Sequence, residues 1–162
     1  MMPTTEEVRS AFDYRDGQLF WRGSPNPRVE AGSAAGTVNA SGYVVVSFRA
    51  KKVHAHRLIW LWHGRELPEQ IDHINGNRAD NSIENLRAAD SATNAYNAKA
   101  RTDNTSGVKN VSWCNTYNKW VVQILHRGGK VTGRFRDFDE AKAFAALKRA
   151  ELHGEFASDG VR

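Results

Sequence analysis

The sequence predicts an α+β protein built from small antiparallel strand groups and a few short helices. Three observations lead there. Short β-branched and aromatic runs recur, each bounded by Gly, Asn or Asp. Two stretches carry helix-starting and helix-stopping residues around apolar positions at helical spacing. With 162 residues and 40% hydrophobics, the chain can fill one ordinary core or two to three small ones. The longest apolar runs, 43–46 and 58–62, are far too short to cross a bilayer. The predicted order is N-terminal strands with a compact polar-rich core, a linker, and a three-stranded antiparallel sheet packed on one helix.

Thr4 or Thr5, followed by Glu6 and Glu7, caps a short helix that runs to Phe12, and Gly17 turns the chain into a strand at 18–21. Residues 23–41 are rich in Gly, Pro, Ser and Ala, which favours irregular backbone. Residues 42–48 are β-branched and aromatic, 50–52 form a tight turn, and 53–56 return as the second arm of a hairpin. Leu58, Leu61 and Trp62 share a helical face over 57–63, stopped by Gly64. Residues 98–106 are polar and read as a linker. Beyond them 108–113, 119–126 and 130–135 read as strands joined by turns at 115–118 and Gly128-Gly129. Asp137 and Glu140 have capping-box spacing, and the helix they open runs to His153, with Gly154 as its stop. Phe144, Ala145, Leu147 and Leu152 are available for its packed face. His63 and His153, each before a glycine, are assigned to capping helix carbonyls and to no catalysis.

Between Pro68 and Asn97 the composition changes. Ile71, Ile74, Ile83 and Leu86 are the strongly apolar side chains among Asp, His and repeated asparagines, which is unlike a buried strand or an amphipathic helix. Asp72 and His73 are neighbours, so on extended backbone they point to opposite sides and take different roles. A carboxylate with an amide oxygen suits a hard divalent ion such as Mg²⁺ or Mn²⁺. An imidazole titrating near neutrality suits a general base.

The ordered set Ile71-Asp72-His73-Ile74-Asn75-Gly76-Asn77, Asp80-Asn81-Ser82-Ile83-Glu84-Asn85-Leu86-Arg87 and the later Asn94 resembles the catalytic motif of phage HNH homing endonucleases. In that ββα-metal family a β-hairpin and a following helix grip one divalent metal. Asn stands twelve residues after the Asp-His pair and another nine further on, as in the subgroup whose last motif residue is asparagine. The resemblance implies that Asp72 and Asn94 bind the metal, with Asn97 an alternative one helical turn along. It implies that His73 deprotonates the attacking water and that Asn85 bonds across the loop to hold the hairpin and His73. His56-Arg57-Leu58 is similar to the segment preceding this motif. His56 is therefore a second-tier catalytic candidate beside a packing role.

Charge locates a second function. Residues 1–50 and 51–98 each balance bases against acids, whereas 99–136 carry eight bases against Asp103 alone. Interleaved with Trp113, Tyr117 and Trp120, this stretch points to a polyphosphate partner. Residues 104–157 resemble the plant apetala-two DNA-binding domain, which phage nucleases often carry beside HNH. That resemblance implies a sheet laid in the major groove, with Lys109, Trp113, Lys119, Gln123, Arg127, Lys130 and Arg134 as DNA-contacting residues. Strand alternation puts some of the tryptophans in the core, with Trp120 packed on the helix and Trp113 shared.

The expected organisation is a supporting α+β segment over 1–50, an HNH core over 51–98, a linker over 99–106 and an apetala-two-like domain over 107–157. The expected activity is metal-dependent hydrolysis of a phosphodiester in double-stranded DNA by a homing-type endonuclease with one Mg²⁺ or Mn²⁺. The runner-up is a DNA-binding regulatory protein on a catalytically silent scaffold, and an RNA-binding module ranks third. One cysteine, Cys114, excludes an internal disulfide and thiolate-rich zinc modules. No membrane partner is expected, and a monomer is favoured. The opening residues lack a secretion signal, so the expected compartment is the cytoplasm, that of the host if the chain is phage-encoded.

Overall fold

The computed structural model describes residues 2–98, 100 and 102–160, so Lys99 and Arg101 of the basic, linker-like stretch lie outside the described residues. Among the described residues are four α-helices and several small antiparallel sheets, a mixed α and β architecture. The chain divides into two units, Met1–Asp90 and Ser91–Arg162.

In the first unit α1 (Thr5–Ala11) opens with a complete capping box, Thr4 accepting from the Glu7 amide and Glu7 from that of Thr4. The helix stops one residue short of its predicted end. Phe12 has extended backbone and starts β1 (Phe12–Arg15), which pairs with β2 (Gln18–Trp21). This strand is not legible in the sequence, because Phe12 and Tyr14 alternate over too few residues to set a period. The predicted irregular stretch holds one short strand, β3 (Thr37–Val38), paired with β4 (Val44–Phe48), and β4 pairs with β5 (Lys51–His54). The turn between β4 and β5 sits at Arg49 and Ala50, both at positive φ. α2 (Ala55–Trp62) therefore begins two residues earlier than predicted, and His56 becomes a buried helix residue.

The polar segment contains the strand that composition argues against. β6 (Gln70–His73) pairs with β7 (Leu86–Ala89), and Ile71, Asp72 and His73 are all buried. A buried polar strand is tolerable because its side chains are partnered, as described below. The core beneath it is formed by Val8, Phe12, Leu19, Val46, Leu58, Ile59, Ile71 and Leu86.

The second unit begins with α3 (Ser91–Asn97). The division thus falls at Asp90, well before the predicted linker, because α3 is bonded to residues of the sheet module and forms part of its unit. β8 (Val111–Cys114), β9 (Lys119–His126) and β10 (Gly129–Phe135) form an antiparallel sheet with β9 central. β8 starts three residues later than predicted, since Asn110 takes positive φ and breaks the extended run. α4 (Phe138–His153) is capped by Asp137, which accepts from the Glu140 amide at 2.9 Å, and ends at Gly154 with φ 53°. Its buried positions are Ala141, Ala145, Arg149 and His153. Leu147, predicted to pack, is 57% exposed. Among the described residues no helix is long and apolar enough to cross a membrane.

Candidate functional site

The site residues of the first unit are presented by the β6–β7 hairpin. In its register Asp72 faces Arg87 and His73 faces Leu86. Arg87 donates Nε (2.9 Å) and Nη2 (2.7 Å) to Asp72 Oδ2, so the buried carboxylate is charge-compensated from the opposite strand. Sequence reading missed Arg87; the signal was a base opposite an acid across a hairpin, visible only once the register is known.

The loop at 74–85 is stapled by its own asparagines. Asn75 Oδ1 accepts from the Asn77 amide at 2.8 Å, and Asn77 Oδ1 from that of Ala79 at 3.1 Å. Asn85 spans the loop, accepting the Asn75 amide on Oδ1 (3.0 Å) and donating Nδ2 to the Asp80 carbonyl (2.8 Å). The residue that touches His73 is a different one. Asn81, 2% exposed, bonds His73 Nε2 through Oδ1 at 3.0 Å and donates Nδ2 to the Ala79 carbonyl at 3.2 Å. That second bond fixes which end of the amide faces the imidazole. Nε2 therefore carries the proton, and the lone pair sits on Nδ1.

Burial holds the His73 imidazole below its ordinary pKa, opposed by the Asn81 bond and by the charges of Asp72 and Asp80. His56 makes a T-shaped ring contact with His73, centroids 5.1 Å apart, and stacks on His54 at 5.2 Å, with Tyr43 beside all three. His56 Nδ1 is buried without a hydrogen-bond partner, and burial pushes the ring down to about 3. It acts as an uncharged aromatic wall for His73. Arg78 lies over Tyr43 at 4.8 Å and donates to the Ser41 carbonyl at 3.1 Å.

The N-terminal strands support this loop directly. Tyr14 Oη accepts from the Ile83 amide at 3.2 Å, and a Cβ on Gly17 would lie 2.7 Å from the Ser82 amide nitrogen. His63 Nδ1 lies 2.9 Å from the Ile59 carbonyl, in its predicted capping place.

As for a metal, the described residues contain no group of three or more His, Cys, Asp or Glu that could hold an ion. What they offer is the buried carboxylate of Asp72, a hard oxygen donor of the kind Mg²⁺ takes while keeping several waters. Asn94 and Asn97 lie on α3, at the start of the second unit.

In that unit the predicted DNA-contacting residues separate. Directly opposed strand residues share a face, so Lys119, Gln123, Lys130 (opposite Leu125) and Arg134 (opposite Val121) lie together on the face away from α4. Arg134 stacks over Tyr117 of the β8–β9 turn at 4.3 Å. Arg127 is exposed in the β9–β10 turn. Two predicted residues are not on this face. Trp113 opposes Trp120, which packs on Phe138 of α4 at 4.6 Å, so its half-exposed ring lies on the helix side. Lys109 is buried, and its Nζ donates to the carbonyls of Tyr96 (2.6 Å) and Ala98. A buried ammonium bonded to backbone oxygen is not offered to phosphate, which corrects its assignment. His153, predicted to cap carbonyls of its own helix, instead bonds the Leu125 carbonyl at 2.9 Å and stacks on Tyr96.

Comparison with known proteins adds to this geometry. The family model described as HNH endonuclease matches residues 53–96. Protein 3.8 of Escherichia phage T7 is 35% identical over 109 residues, which cover 66% of this chain and 90% of that protein. An uncharacterized HNH endonuclease of Acanthamoeba polyphaga mimivirus is 34% identical over 123 residues, 73% of this chain and 62% of that protein. No solved structure matches significantly. The matched segment holds the whole hairpin with Asp72, His73, Asn81 and Asn85, so the chain contains an HNH endonuclease domain over residues 53–96, and it is a relative of Protein 3.8 of phage T7, which it covers almost end to end.

Proposed function

We propose that the protein is a metal-dependent DNA endonuclease of the homing type, hydrolysing a phosphodiester bond as a nick or a double-strand cut. The observation that carries this reading is the Asn81–His73 bond at 3.0 Å. It presents a buried imidazole in a single tautomer with its basic nitrogen on Nδ1, and burial keeps that ring neutral near pH 7. His73 takes the proton from the attacking water, while Asn85 and Asn81 keep the loop and the ring from turning away. Asp72 and Asn94 are the proposed ligands of one Mg²⁺ or Mn²⁺. Such an ion supplies charge neutralisation at the scissile phosphate and at the leaving 3′ oxygen. His56 does not exchange protons; it walls the base.

The basic sheet face is the proposed DNA-docking surface, with Lys119, Gln123, Lys130, Arg134 and the turn residue Arg127 as its contacts. Its three strands and single helix are the elements for which the apetala-two likeness is proposed. The Arg87 ion pair on Asp72 is the one observation favouring a DNA-binding regulatory protein on a silent scaffold, because it engages the proposed ligand. One assay separates the two readings. Purified protein with supercoiled plasmid in Mg²⁺ or Mn²⁺ converts it to open-circular or linear DNA. EDTA stops the reaction, and His73→Ala abolishes it while leaving DNA affinity within about twofold. Cleavage surviving in His73→Ala sinks the base assignment, and metal-independent binding without cleavage supports the regulatory reading.

A further inference from the structure

α3 carries the last asparagine of the motif, yet its bonds belong to the C-terminal module. Lys109, just before β8, drives its ammonium into the C-terminal end of the helix and donates to the carbonyls of Tyr96 and Ala98. Arg149 of α4 holds Lys109 from behind, donating Nη1 to its carbonyl at 2.8 Å. Tyr96 stacks face to face on His153 of α4 at 3.9 Å with rings 3° from parallel, and His153 is itself tied to Leu125 of β9. The chain after α3 is bonded to the C-terminal segment, Ala100 donating to the Gly160 carbonyl at 3.3 Å. A side chain at Gly160 would lie 2.9 Å from Lys109 Cβ. Two of these attachments fall on Tyr96 within the seven-residue helix and two on Ala98 and Ala100 just after it, and short helices depend on such tertiary contacts for their stability.

We propose that Lys109 is a positioning residue for Asn94: the sheet module sets the orientation of α3, and through it the carboxamide offered to the metal. The inference rests on the proposed role of Asn94 as a ligand.

The test titrates Mn²⁺ into the full chain without DNA and follows free Mn²⁺ by electron paramagnetic resonance. Asn94→Ala, Lys109→Met, Lys109→Arg and Tyr96→Leu are run beside the unmodified protein. Lys109→Met is expected to weaken Mn²⁺ binding about tenfold, as Asn94→Ala does, and Lys109→Arg to recover most of it. Tyr96→Leu, which removes the stack but leaves Lys109 its carbonyls, is expected to show a smaller loss of the same kind and serves if Lys109→Met fails to fold. Normal Mn²⁺ affinity in folded Lys109→Met, or in Tyr96→Leu if the former does not fold, with loss in Asn94→Ala overturns the inference alone. Normal affinity in Asn94→Ala removes the ligand assignment beneath it, and the inference falls with it.

Discussion

His56 shows how one residue ties the site to the stability of the first unit. Its ring is buried at 6% exposure between His54 and His73, and its folded pKa is about 3, against 6.5 in the unfolded chain. Between those values the unfolded chain holds a proton that the folded one lacks, so stability rises with pH through this window and is lost as pH falls below 6.5. His54 and His73, both lowered by burial, act in the same direction. Moving from pH 7 to pH 5 should therefore cost about 2 kcal/mol from His56 alone. Urea unfolding at the two pH values checks this, with His56→Gln expected to remove a large part of the difference. An equal loss in the variant would show that His56 is not the group responsible.

At the scale of elements, the hairpin loop that presents His73 is held from two directions. Its asparagines close it internally, and the turn between β1 and β2 presses on it from outside at Gly17. Gly17 has φ 82°, and a Cβ there would sit 2.7 Å from the Ser82 amide nitrogen, beside Asn81. Gly17→Ala should destabilise the protein by about 1–3 kcal/mol through backbone strain and the forced shift of the loop. It should also slow cleavage more than it weakens DNA binding, since the displaced loop carries the partner of His73. Unfolding curves and single-turnover cleavage together decide this, and a variant as stable and as fast as the parent would show that the loop moves freely. α1, β9 and α4 were legible in the sequence because caps and alternation are local signals. β1 and β6 were not. The first is too short to carry a period, and the second hides polar side chains whose partners lie elsewhere in the chain.

Over the whole molecule, the excess positive charge of 99–136 sorts into different uses once the chain is folded. Lys119, Lys130 and Arg134 share the outer sheet face, while Lys109 is withdrawn to bind carbonyls and burial lowers its pKa to about 8. Phosphate contacts release counterions, so Lys130→Ala and Arg134→Ala should each reduce the slope of log affinity against log salt by about one. Lys109→Met should leave that slope unchanged. Fluorescence anisotropy across a salt series checks both, and a reduced slope in Lys109→Met would return that residue to the docking surface. The sequence by itself determined the α+β class, the sheet-and-helix module, the place of the Asp-His pair and the segment where basic charge collects. These follow from local spacing, capping and composition. Only the tertiary structure decided that Asn81 holds His73, that Arg87 compensates Asp72, that Lys109 faces inward and that α3 belongs to the second unit. The reason is that each of these depends on which distant groups a buried side chain meets, and no local pattern of residues records its partners across a turn or a sheet.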